Sequence, residues 1–122
     1  MTKAAGFYNS IMQTDEPAFI IEPLNAYRVK EKMPLNLGEF CYEFGKIEIL
    51  KEGKDISIIS YGSTLNLVMD SIPEFDDLGI DVEIIDIQTL IPFDLGKEIL
   101  LSVKKTNRVI IIDEDVPGCL LY

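Results

Sequence analysis

Three short polar groups in this chain are placed where chemistry could occur, each at the end of an apolar run. They are Tyr61-Gly62-Ser63-Thr64, Gln88-Thr89 and Asp113-Glu114-Asp115. An acidic triplet suits Mg²⁺, which prefers carboxylate and phosphate oxygens. Adjacent residues of a strand point to opposite faces, however, so the three carboxylates do not naturally converge, and a solvated strand end is the simpler reading. Gly62 before a helix start would let an anion approach backbone amides. Neither a glycine-rich dinucleotide fingerprint nor a Walker lysine accompanies it, so an ordinary strand-to-helix turn is the simpler reading there too. The sequence contains no histidine. That removes the usual neutral-pH proton shuttle and the commonest transition-metal ligand, and with them any Ser-His, Cys-His or His-metal mechanism contained wholly in this chain. Cys41 and Cys119 are far apart, without metal or redox spacing, and read as reduced, partly buried thiols.

Composition narrows the class further. The chain has 122 residues, 48% of them hydrophobic and 26% charged, a normal balance for one globular domain with a core. A net charge of -10 argues against nucleic acid, which is bound by clustered lysines and arginines, and against anionic membrane surfaces. No apolar run approaches the ~20 residues that span a bilayer. Met1 to Gln13 has no signal-peptide core, so a cytoplasmic location is the default expectation.

The elements that would position these groups follow from periodicity. Ala4, Phe7, Tyr8, Ile11 and Met12 recur at three and four residues, predicting a helix over Thr2 to Gln13 that Pro17 closes off. Ala18 to Ile21 is expected to be a short buried strand. From Pro23 to Gly45 the periodicity lapses, which predicts an extended connection whose aromatics, Tyr27, Phe40, Tyr42 and Phe44, run across a partner surface. Lys46 to Leu50 alternates as a half-exposed strand, and a short turn through Gly53 predicts an antiparallel hairpin with the strand Asp55 to Tyr61. Leu65, Val68, Met69 and Ile72 mark one face of a helix capped at Ser63 or Thr64; Pro73 is expected to kink or end it, with Phe75 and Leu78 continuing the apolar face until Gly79 stops the helix. Asp81 to Gln88 is the next strand. Pro92 and Asp94 are expected to open a helix with Leu95, Ile99 and Val103 inward, and Arg108 to Asp113 is the last strand. Nearly continuous apolar strands separated by helices indicate a parallel sheet covered on both faces. The expected fold class is therefore α/β, a three-layer α/β/α arrangement with a mostly parallel sheet and one antiparallel strand. A response-regulator receiver has the same cadence but needs carboxylates at the end of its first strand, where this chain has Ser60, Tyr61 and Gly62.

The segments AFIIEPLNAYR, GKIEILKEGKDISIISYGST, VEIIDIQTLIPFD and SVKKTNRVIIIDEDVPG carry a more specific signal. In that order they resemble the β subunit, or β portion of a fused chain, of the thiamine-diphosphate-dependent decarboxylase component of 2-oxo acid dehydrogenases, of pyruvate and branched-chain type. The resemblance implies that residues 1–28 are the tail of a thiamine-pyrimidine-binding domain, 29–45 a linker, and 46–122 a truncated transketolase C-terminal-like domain. In that family the last domain supports subunit contacts rather than chemistry. The activating glutamate and the active-site histidine lie upstream of this segment, and the α subunit holds the diphosphate and Mg²⁺. No residue here is therefore assigned a catalytic, cofactor-binding or metal role, and neither thiamine diphosphate nor Mg²⁺ is expected to bind this chain alone. Glu22 and Tyr27-Arg28 match a recurrent family segment, with a structural role expected for the carboxylate and the guanidinium.

The implied partners are the α subunit or α portion, a second β subunit and the lipoyl acyltransferase, with a homo-oligomer expected and neither nucleic acid nor membrane. Because the family continues past DEDVPG with further elements, the chain is expected to be a fragment. Two alternatives stand beside this one. The first is a free-standing oligomerisation or regulatory domain, suggested by the aromatic-rich connection and by Ile91 and Leu120 to Tyr122. The second is the equivalent domain of transketolase or of a 2-oxoacid:ferredoxin oxidoreductase.

Overall fold

The computed structural model describes residues 2–32 and 35–114. The chain divides into two compact units, Met1–Glu43 and Phe44–Tyr122.

In the first unit, helix α1 (Thr2–Ile11) forms where the three-and-four spacing predicts it. The segment after residue 35, expected to face a partner, is laced onto this helix instead. Phe7 stacks on Tyr42 with ring centroids 5.2 Å apart, and Phe40 meets Tyr42 edge-on. The close approach needs a glycine, because a Cβ at Gly6 would stand 2.3 Å from the Tyr42 ring. Hydrogen bonds fix the register. The Ser10 hydroxyl donates to the Tyr42 carbonyl at 2.6 Å, and the Asn9 amide donates to the carbonyls of Leu37 and Phe40, each at 2.8 Å. The connection also carries local structure of its own, a 3₁₀ turn at Leu24–Arg28 and a turn at 35–39.

The expected buried strand at Ala18 to Ile21 does not form. Those residues are irregular, with Phe19 100% and Ile21 81% exposed. A strand needs an edge to pair with, and the described residues of this unit contain no other strand.

The second unit is built on a sheet of four strands, β1 (Glu48–Lys51), β2 (Ile56–Ser60), β3 (Val82–Asp86) and β4 (Val109–Ile111), in the order β1-β3-β2-β4. β2 pairs in parallel with both β3 and β4, and β1 closes one edge antiparallel to β3. The mostly parallel α/β sheet with one antiparallel strand is thus as expected. The hairpin is not. The connection from β1 to β2 steps over the start of β3, so that β1 and β2 lie on either side of it. Gly53 permits this crossing: a Cβ there would lie 2.2 Å from the Val82 carbonyl carbon and 2.4 Å from the Glu83 nitrogen. The amides of Lys54 and Asp55 then donate to the Asp81 carbonyl.

Helices cover the two faces of the sheet. On one side α2 (Thr64–Asp70) and α3 (Ile72–Asp77) pack Leu65, Val68, Ile72 and Phe75 against Ile58, Val82 and Ile84. The predicted single helix is interrupted at Ser71, and Pro73 falls in the first turn of α3, where its missing amide hydrogen costs nothing. On the other side α4 (Glu98–Thr106) brings Ile99 against Ile59, Ile85 and Ile87. It begins a turn later than the Pro92–Asp94 start expected. Asp94 acts as its anchor, accepting from the amides of Glu98 at 2.8 Å and Ile99 at 3.0 Å. Leu95 consequently stays outside the helix and is 69% exposed rather than inward. The last strand is also shorter than Arg108 to Asp113, and all its residues are exposed at the sheet edge. Among the described residues no helix is long and apolar enough to cross a membrane.

Gly53→Ala forces backbone apart at the β1–β3–β2 crossing. It is expected to lower unfolding free energy by about 1–3 kcal/mol, the usual range for overpacking, as measured by urea denaturation. An unchanged midpoint would show that the crossing is looser than described.

Candidate functional site

The carboxyl ends of β2 and β4 lie side by side, which brings two of the three polar groups together. The Tyr61 hydroxyl donates to Asp113 Oδ1 at 2.9 Å, and the Ser63 hydroxyl donates to Glu114 Oε2 at 2.6 Å. Beneath them the Ser60 hydroxyl donates to the Ile112 carbonyl at 3.0 Å and meets Thr64 Oγ1 at 2.7 Å. The acidic end is therefore tied to the β2–α2 turn instead of being merely solvated. The hydrogen bonds also explain why neither Ser63 nor Thr64 caps α2 through its side chain: Ser63 serves Glu114, and Thr64 donates back to the Tyr61 carbonyl. Gly62 takes a φ of +61°, the left-handed turn for which glycine is suited. Asp115 lies outside the described residues.

Gln88 and Thr89 sit apart from this cluster. The Gln88 amide donates to Glu48 Oε2 at 2.6 Å, and Thr89 Oγ1 accepts from the Gly45 amide at 2.8 Å. Among the described residues no group of three His, Cys, Asp or Glu side chains is arranged to hold a metal ion. Cys41 is exposed rather than partly buried, and it accepts from the Gln13 amide. Cys119 falls outside the described residues. At the other matched family segment, where a structural role was expected, the Tyr27 hydroxyl donates to the Glu22 carboxylate. Bonding to Glu22 raises the Tyr27 pKa, with a smaller contribution from desolvation.

A second cluster went unnoticed in the sequence. It lies between α4 and the sheet. Glu83, fully buried on β3, is paired with Lys105, which also reaches Glu52 Oε2 at 3.0 Å. Alongside, the Ser57 hydroxyl meets those of Ser102 at 2.6 Å and Thr106 at 2.7 Å, all three buried. Glu83 Oε1 has no hydrogen-bond partner. Burial pushes the Glu83 carboxyl up, but bonds from Lys105 and Ser102 outweigh this and hold it below its usual value. The signal was available. Ser57 and Glu83 interrupt strands otherwise made of isoleucine and valine, and Ser102 and Thr106 are four apart on one helix face.

Chemically, both clusters are spent on structure. The hydroxyls meet one another, a carbonyl or a carboxylate, and with no histidine in the chain none of them has an imidazole base to activate it. The lysine is committed to two carboxylates. What the geometry does is fix β4 to α2 and α4 to the sheet.

Comparison with known proteins gives this arrangement its class. The family described as "Transketolase, C-terminal domain" matches residues 45–119. The chain belongs to that family. Pyruvate dehydrogenase E1 component subunit beta of Staphylococcus aureus is 35% identical over 112 residues, 91% of this chain and 34% of the relative. The mitochondrial 2-oxoisovalerate dehydrogenase subunit beta of Chaetomium thermophilum is 35% identical over 114 residues, 92% of this chain and 24% of the relative. The beta subunit of the acetoin:2,6-dichlorophenolindophenol oxidoreductase of Cupriavidus necator is 31% identical over 93% of this chain and 33% of its own length. The chain thus spans about a third or less of these relatives. Among solved structures, "Split gene transketolase, inactive beta4 tetramer" superposes with a TM-score of 0.57 at 26% identity, over 63% of this chain and 25% of that one. The 2-oxoglutarate:ferredoxin oxidoreductase of Magnetococcus marinus shares the fold, with a TM-score of 0.50 at 21% identity over 63% of this chain and 13% of that one.

The buried pair sets a pH dependence. A carboxyl held below its unfolded value of 4.5 contributes fully above that pH and loses its contribution as pH falls through the folded value. Lys105, held above 10.5, contributes fully below that pH and loses its contribution as pH rises through the folded value. The difference in urea midpoint between the wild type and Glu83→Gln is expected to be constant near neutrality and to shrink below pH 4.5. Lys105→Met should lower the midpoint more than Glu83→Gln does, because it strands a buried charge. The double variant should recover part of that loss. A pH-independent difference would remove the ion pair from the account.

Proposed function

We propose that this chain forms the non-catalytic, C-terminal part of the β subunit of a 2-oxo acid dehydrogenase decarboxylase component. The observation that carries the reading is the 31–35% identity to two such β subunits and two acetoin-oxidising ones across nine-tenths of this chain. Within it, residues 1–28 correspond to the tail of the thiamine-pyrimidine-binding domain, 29–45 to the connection, and 46–122 to the transketolase C-terminal-like domain. The intact enzyme oxidatively decarboxylates a 2-oxo acid and passes the acyl group to a lipoyl disulfide on the acyltransferase. Thiamine diphosphate supplies the electron sink for that reaction, with Mg²⁺ at its diphosphate.

The described residues do not fit either group. The carboxylates nearest a strand end are engaged by Tyr61 and Ser63, and no converging donor set remains among them. The role left for this chain is to hold subunits: the α subunit or portion, a second β subunit and, through the assembled component, the lipoyl acyltransferase.

Calorimetric titration with thiamine diphosphate and Mg²⁺ tests this directly. No binding heat is expected from the chain alone, and no carbon dioxide release from pyruvate or 2-oxoisovalerate. Stoichiometric cofactor binding would overturn the proposal.

A further inference from the structure

One element of the second unit, α4, is docked mainly by polar contacts. Its buried residues are Ser102 and Thr106, whose hydroxyls meet Ser57 Oγ at 2.6 and 2.7 Å. The apolar contact beneath it is centred on half-buried Ile99. Leu100 and Leu101 are already 49% and 64% exposed, the reverse of the polarity a surface helix ordinarily shows. Lifting α4 from the sheet therefore uncovers neither leucine. The helices on the other face differ: Leu65 and Val68 of α2 are buried in the core, with Ile72 and Phe75 of α3 packed against it, so they cannot leave without opening that core.

What holds α4 down is a charge. Fully buried Glu83 is faced by Lys105 from α4, by Glu52 from the β1–β2 crossing through that lysine, and by the Gly53 amide at 3.5 Å. Glu83 Oε1 has no hydrogen-bond partner among the described residues, so the pairing rests on Oε2 and one ammonium. The ends of the helix are built to turn. Lys97 and Asn107 bound it, each left-handed with a φ of +55°. Just outside them the chain is anchored: the Leu95 amide donates to the Gly45 carbonyl at 2.8 Å, and the Ser57 amide donates to the Arg108 carbonyl at 2.9 Å. Both anchors can stay in place while the residues between them move.

We propose that α4 is a hinged strap, fastened at residues 95 and 108 and latched by the Glu83–Lys105 pair, which lifts from the sheet as a unit while the strands stay paired. Lifting brings Ser57 and Glu83, a hydroxyl and a carboxylate fully buried in the closed form, to solvent. Sub-global opening of this kind belongs to elements with few buried apolar contacts. Loss of the Glu83 charge shifts the balance toward the open form, because the closed form alone contains the ion pair. The inference concerns the fold of this unit and stands apart from the enzyme family proposed above.

Native-state hydrogen exchange of the full chain, followed by NMR at neutral pH and low urea, tests it. Amides of residues 102–107 should exchange through an opening that depends weakly on urea, whereas those of β2 and β3 should follow the steep dependence of global unfolding. Glu83→Gln should speed the exchange of residues 102–107 roughly tenfold, the loss of one charge-assisted hydrogen bond. Ser57→Cys with Ser102→Cys, oxidised to a disulfide, should pin the strap and bring the same amides into the slow class of the sheet; reduction should release them. Equal urea dependence of α4 and the sheet in the wild type would overturn the strap, whether or not either variant folds. An exchange rate indifferent to Glu83→Gln would overturn the latch, and fast exchange that survives the disulfide would overturn both.

Discussion

Burial of one charge organises the second unit. Glu83 lies on an interior strand, with every residue of β3 out of solvent, and an isolated carboxylate there would be costly enough to favour protonation or unfolding. Its neutralisation requires a cation from outside the sheet, and Lys105 in the last turn of α4 supplies it. That requirement fixes where α4 sits along the sheet and, through Glu52, where the β1–β2 crossing runs. A hydrophobic helix face could slide across an isoleucine surface with little change in energy. A lysine that must reach one buried carboxylate cannot, and the three hydroxyls beside it narrow the register further.

The same device accounts for the unusual helix. The buried positions of α4 are taken by Ser102 and Thr106, and Ile99 is the apolar residue it packs on the isoleucine core of that face. Leucines at 100 and 101 are left facing out. On the opposite side the core is conventional: Leu65, Val68 and Phe75 point inward, and Leu67 and Leu78 are left on the surface. The sheet is thus docked by polarity on one face and by apolar packing on the other, and each face leaves apolar side chains unburied in this chain.

Much of this was readable from residue order, and the misses share a cause. Strand existence, helix existence and the parallel sheet followed from local periodicity, a short-range property of the chain. Pairing did not. The turn through Gly53 looked like a hairpin because it is short, yet the chain uses Gly53 to pass over β3, a strand almost thirty residues later. The start of α4 was misplaced for a related reason: Pro92 and Asp94 are both good helix openers, and only the side-chain bonds from Asp94 to the amides of residues 98 and 99 decide between them. At Ala18 to Ile21 the sequence does carry strand character. Strand propensity describes fitness for a pleated, paired surface, and these residues have the fitness without the partner. The buried cluster was missed because Ser57, Glu83, Ser102 and Lys105 are separated by up to 48 positions and become one feature only when the sheet is assembled.

The absence of histidine and the use of the polar groups bear on each other. A domain that performs acid–base chemistry near neutral pH keeps a titratable group poised and reachable, with its partners arranged to shift rather than quench it. Here the perturbed carboxylate is sealed under a helix, held ionised by a lysine, and so kept from exchanging a proton near neutrality. The strand-end carboxylates, nearer to solvent, accept from Tyr61 and Ser63 and tie β4 to the α2 turn. Both arrangements convert charge into rigidity. The faces so fixed leave leucine and isoleucine unburied, and exposed apolar surface of this kind is what other polypeptides pack against.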